Sequence, residues 1–123
     1  MSGSKSVAEF YDEGIELFNQ GRFFECHEAW EEAWKRSTGT EKIYYQGIIQ
    51  AAVAILHVQR GNLPGARRLY AKACAKLDSL PSEHMGAALG ELRADLANFF
   101  AAACADEKPW LPPPPKLRRL SRR

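Results

Sequence analysis

Residues 48–56 read Ile-Ile-Gln-Ala-Ala-Val-Ala-Ile-Leu, inside a helical pattern that runs over about 41–60. A helix apolar on nearly every side must be covered by neighbours on several sides. Gly47, Ala51, Ala52 and Ala54 keep its surface low, so those neighbours can approach closely. This requirement for a central, wrapped helix constrains the fold more than any other feature.

The covering segments are also periodic at helical spacing. Val7, Tyr11, Ile15 and Phe18 form one stripe, capped by Ser4 or Ser6 and stopped at Gly21. Phe23, His27, Trp30 and Trp34 form a second over about 22–36. The turn Ser37-Thr-Gly-Thr40 follows, with Thr40 as the expected cap of the central helix. Gly61 ends that helix and Asn62 caps a fourth, with Pro64 tolerated in its first turn. A fifth is expected from a Ser82 cap to about Ala105, with Met85, Leu89, Leu92, Leu96 and Phe99 inward. No segment alternates as a strand would. The pattern predicts an all-α fold: one five-helix bundle of two antiparallel hairpins and a closing helix, over residues 1–108.

Aligning Gly21 with Gly61 also aligns Phe23 with Leu63, Trp30 with Tyr70 and Ala33 with Ala73. Each unit is helix, glycine corner, helix. The plan echoes tetratricopeptide hairpins, but the offset is 40 residues and few consensus positions match.

Residues 109–123 differ in kind. They hold five prolines, Trp110 and five basic groups, with no acid. They are expected to form a proline-rich basic tail, extended and mobile, dispensable for folding. The tail sets the charge balance: the chain is +2 overall, while residues 1–108 sum to −3. A nucleic-acid-binding body carries a basic face on the fold itself. Here only the tail and the line Arg68, Lys72, Lys76 offer one, so nucleic acid is expected only through them.

At 123 residues the chain can hold its own core without metal or disulfide staples. Cys26, Cys74 and Cys104 are widely spaced and odd in number, which fits a reducing cytoplasm rather than a disulfide framework. No run approaches the ~18 apolar residues of a membrane span, and no apolar stretch follows Lys5 as a secretory signal would need. Neither cofactor nor metal is expected.

Chemistry-bearing residues gather on two helices. His27 lies on the apolar stripe of the second, and Glu31 is one turn on. The segment His27-Glu28-Ala29-Trp30-Glu31 misses the zinc-protease HExxH spacing. Glu25, Glu28 and Glu32 share an acidic face. Gln46, Gln50 and His57 draw a polar line along the central helix. In an antiparallel pair joined by a short turn, His27 stands level with Gln50 and Glu31 with Gln46, and the lean of helical side chains brings His27 and His57 toward each other. Three readings follow: an internal hydrogen-bond cluster, a ligand or metal pocket, or acid–base catalysis by His27 with Glu28 or Glu31.

Three segments together resemble a known family. They are Leu17-Phe-Asn-Gln-Gly-Arg-Phe-Phe-Glu-Cys-His-Glu-Ala-Trp-Glu-Glu-Ala-Trp34, Gln46-Gly-Ile-Ile-Gln-Ala-Ala-Val-Ala-Ile-Leu-His57 and Arg60-Gly-Asn-Leu-Pro-Gly-Ala66. They look like domain-of-unknown-function family 309, small, all-helical and mostly bacterial, over about residues 9–80. The resemblance implies no activity and no catalytic set. Its pattern includes the positions of Glu25, His27, Glu28, Trp34, Gln46, Gln50 and His57. The leading expectation is a non-enzymatic cytoplasmic module that binds a protein or small ligand, of undetermined oligomeric state. The alternative is a metal-dependent or acid–base enzyme, hydrolase-like, using His27, Glu28 or Glu31, and His57.

Overall fold

Ser6 starts the first helix through a reciprocal pair of bonds. The Glu9 N–H donates to its hydroxyl at 3.1 Å, and its own N–H donates to the Glu9 carboxylate at 2.8 Å. A computed structural model describes residues 4–105 and 111–120. Its helices are α1 (Val7–Asn19), α2 (Phe23–Lys35), α3 (Gly39–Gln59), α4 (Leu63–Leu77) and α5 (Leu89–Ala103). The expected five-helix bundle is present, and a small hairpin of β1 (Glu83–His84) and β2 (Ala87–Ala88) is added to it.

The two glycine corners are built alike. Gly21 and Gly61 take φ of +78° and +79°, a region that costs other residues strain. Just beyond each, an N–H bonds five residues back: Arg22 to the Leu17 carbonyl at 2.9 Å, and Asn62 to the His57 carbonyl at 2.8 Å. The aligned glycines thus do the same work. Asn62 also caps α4, accepting from the Gly65 N–H at 3.1 Å.

Helix α1 packs on α2, α2 on α3, and α3 on α4. Trp30, Tyr44, Tyr45, Phe18 and Ile55 are fully buried at the centre. The Trp30 indole lies across Gly14 and donates to the Tyr11 carbonyl at 3.1 Å. At the other junction Gly47 meets Leu77, and a Cβ there would fall 2.6 Å from a Leu77 methyl. Helix α5 closes the bundle with Leu92, Leu96 and Phe99 inward and Phe100 stacked on Tyr70 at 4.3 Å. Arg93 ties it to the end of α4, donating to the carbonyls of Leu77 and Leu80, both at 2.9 Å.

Three local expectations are corrected. Helix α3 begins at Gly39 after Thr38, so Thr40 falls inside its first turn. Helix α5 begins at Leu89 rather than after Ser82. Met85 and Gly86 take φ of +49° and +74°, the two consecutive left-handed residues that a tight hairpin requires. That hairpin takes the place of the first turns expected for α5, and Met85 leaves the helical stripe.

A further correction concerns the tail. Residues 111–120 lie against the body. Leu117 is fully buried, and the Asn19 carboxamide both donates to its carbonyl at 3.1 Å and accepts from its N–H at 2.8 Å. The strap then runs along β2: the Ala88 N–H donates to Arg118 and the Leu120 N–H to Gly86. Arg118 grips Glu91 through two nitrogens at 3.0 and 3.1 Å, and Arg119 bonds Asp12. Trp110 lies outside the described residues.

Candidate functional site

Helix α2 has three faces at helical spacing. Phe23, Cys26, Trp30 and Ala33 point into the core. Burial pushes the Cys26 thiol far up from its ordinary value, so this cysteine is packing material rather than a nucleophile. Glu25, Glu28 and Glu32 line a cleft of about 480 Å³ toward α1, with Glu13, Phe10, Leu17 and Arg22. Glu25 is held below the usual carboxylate range, first by a backbone N–H and then by Arg22, 3.3 Å away. The third face carries Phe24, His27, Glu31 and Trp34.

On that third face His27 Nε2 stands 3.4 Å from Glu31 Oε2. Their side chains are 26% and 44% exposed, so the pair is reachable from solvent. The Phe24 ring lies 5.9 Å from the imidazole and is itself 49% exposed, a large apolar group left open beside a polar pair. At the C-terminal end Trp34 Nε1 is buried with no hydrogen-bond partner, and the Lys42 ammonium sits 4.2 Å over its ring.

Helix α3 presents Gln46, Gln50, Val53 and His57, all half-buried, on one face. Gln50 Oε1 is buried and accepts nothing. His57 Nδ1 lies 3.3 Å from Asn62 Nδ2. An amide nitrogen can only donate, so His57 accepts at Nδ1 and carries its proton on Nε2. The corner residue Asn62 therefore serves two helices, a role that its capping position alone does not announce.

The structure thus separates the residues singled out in the sequence. His27 and Glu31 meet. Glu25 and Glu28 belong to the acidic cleft. His57 turns to Asn62. Among the described residues no hydrogen bond links His27 or Glu31 to Gln46, Gln50 or His57. Two buried polar atoms, Trp34 Nε1 on α2 and Gln50 Oε1 on α3, have no hydrogen-bond partner. Nor do any three His, Cys, Asp or Glu side chains among the described residues come close enough to share a metal ion. No helix of the described residues is long and apolar enough to cross a membrane.

Sequence comparison covers the same helices. The family model "Domain of unknown function (DUF309)" matches residues 11–69. The uncharacterized protein YpuF of Bacillus subtilis (strain 168) is 40% identical over 76 residues, 61% of this chain and 42% of that protein. An uncharacterized protein of Aquifex aeolicus (strain VF5) is 33% identical over 95 residues, 76% of this chain and 28% of its own length. The matches therefore take in less than half the length of either relative.

Proposed function

We propose, from the match of residues 11–69 to the DUF309 family model, that the protein is a non-enzymatic cytoplasmic binding module whose α2–α3 face receives a protein segment or small ligand. The observation that carries this reading is Gln50 Oε1, buried and unpartnered on the face it shares with the half-open His57. A buried acceptor left without a donor costs about 1–3 kcal/mol. A ligand N–H or O–H supplied from outside removes that cost. The groups on the third face of α2 suit such a ligand: His27 and Glu31 offer polar contacts, Phe24 offers an open apolar ring, and Trp34 Nε1 lacks an acceptor.

The cytoplasmic setting rests on three free thiols, Cys26, Cys74 and Cys104. The acid–base alternative retains only the His27–Glu31 pair, since Glu28 lies in the acidic cleft and His57 is held by Asn62. The nucleic-acid reading is left with fewer open cations, because Arg118 and Arg119 are paired with Glu91 and Asp12. Capture from a bacterial lysate tests the proposal, with immobilised wild type beside the Gln50→Leu variant. A species held by wild type and lost by the variant supports it. Identical retention by both contradicts it.

A further inference from the structure

The strap lies in a groove that holds it as a receptor holds a peptide. Its backbone is paired from two directions. The Asn19 carboxamide bonds both the N–H and the carbonyl of Leu117, while the Ala88 N–H donates to the Arg118 carbonyl at 2.9 Å and the Leu120 N–H to the Gly86 carbonyl at 2.8 Å. Arg119 stands opposite Ala87 in antiparallel register. Leu117 fills a closed pocket, and Arg118 and Arg119 meet Glu91 and Asp12. Main-chain pairing at a strand edge, with pockets for chosen side chains, is how a sheet takes up a separate segment.

The seated part is short and hangs on a stiff spacer. Pro112, Pro113, Pro114 and Pro115 offer no N–H. Among the described residues the first hydrogen bond of the strap comes from Lys116, which donates to the Asn19 carbonyl at 3.3 Å. An open cleft of about 440 Å³ lies between the prolines and α5, where Asp95, Asn98 and Phe99 line it. A proline run keeps an extended form, ~3.1 Å per residue, so a released strap projects from the body instead of collapsing onto it. Residues 1–108 sum to −3, whereas residues 111–120 carry Lys116, Arg118 and Arg119 and no acid. The attraction between strap and groove is therefore the same whichever copy supplies each.

We propose that two copies of the chain exchange straps, each Leu117 entering the pocket of the other copy and each Arg118 reaching the partner's Glu91. Exchange keeps every contact of the groove, so a dimer forms without any new surface having to fit. The groove fits the sequence of residues 111–120, and a second copy is the partner that carries it.

Charge reversal in the full chain tests exchange. Arg118 and Glu91 are both exposed, so neither reversal threatens the core. Arg118→Glu alone and Glu91→Arg alone each set like charges against each other in the groove. An equimolar mixture repairs both grooves, but only between chains: one groove pairs the two original residues and the other pairs the two reversed ones. The chains are equilibrated at about 1 mM, where a second copy competes with a tethered segment, then diluted and read at once by native mass spectrometry. The mixture should give dimers with one chain of each variant, formed roughly tenfold more tightly than dimers of either variant alone. Its thermal midpoint should lie above both. A mixture that stays monomeric, with the midpoints of its two components, overturns the proposal. So do mixed dimers no more abundant than those of either variant alone. Monomeric Arg118→Glu chains that take up a free peptide of residues 111–120 would assign the groove to another protein's segment and contradict exchange.

Discussion

The Asn19 carboxamide at the end of α1 makes both of its hydrogen bonds to one residue, donating to the Leu117 carbonyl and accepting from the Leu117 N–H. Two residues 98 positions apart are thereby joined as neighbours in a sheet would be. Leu117 itself is fully buried. The strap is held by a specific clamp rather than by general adhesion, and it should contribute to stability.

Leu117→Ala should lower the unfolding free energy by roughly 2–5 kcal/mol, the usual cost of emptying a buried leucine site. Asn19→Ala should cost about 1–3 kcal/mol, because it leaves the Leu117 backbone groups without partners. Urea denaturation followed by circular dichroism measures both. Midpoints unchanged from wild type would mean that the strap detaches at no cost.

Gly14 sets the distance between α1 and α2. A Cβ there would sit 2.1 Å from Trp30 Nε1, and Trp30 has no exposed side to move toward. Gly14→Ala should destabilise by at least the ~1–3 kcal/mol typical of overpacking. It should also break the Trp30–Tyr11 bond. Tryptophan emission and thermal unfolding together check this, and a variant with wild-type midpoint and emission would contradict it.

Most of the helices were legible because their signals are local. Ser6 with Glu9, Gly21, Gly61 and Asn62 with Pro64 are caps and corners that act within a few residues. The β1–β2 hairpin was not legible: Met85 with Leu89 and Leu92 imitates a helical stripe, and a single glycine, Gly86, gives half of the turn signal. The strap was misread for a different reason. Leu117 is one leucine among prolines and arginines, and what holds it lies on α1 and β2, far away in sequence. At the candidate site the contact of His27 with Glu31 follows from helical spacing. The turn of Glu28 toward α1 and the bond of His57 to Asn62 depend on packing and corner geometry, which spacing alone does not specify.

Burial lowers the His84 pKa below its ordinary 6.5, with Glu41 opposing more weakly. Its Nε2 is buried without a partner, and its ring meets the Tyr44 ring at 4.9 Å. A histidine whose native pKa is depressed binds fewer protons folded than unfolded. Its contribution is therefore intact above the ordinary value of 6.5 and is lost as the pH falls toward the depressed native value. Denaturation midpoints should decline between about pH 7 and pH 5, and His84→Gln should flatten that decline. Equal slopes in both proteins would contradict the assignment.

Gln50→Leu should leave stability unchanged or raise it by up to about 1 kcal/mol, since it removes a buried acceptor that has no donor and keeps a similar volume. Thermal unfolding checks this. A loss of more than about 2 kcal/mol would show that Gln50 is bonded within the fold and is not held open for a ligand.

The binding role of the α2–α3 face is tested most directly by native mass spectrometry of the protein purified from bacterial cells, as wild type, His27→Gln and Gln50→Leu. The account predicts a bound species, protein or small molecule, on wild type that is absent from both variants while their thermal midpoints are no lower than that of wild type. A bound species retained by both variants, or a wild type that carries none from any preparation, would contradict it.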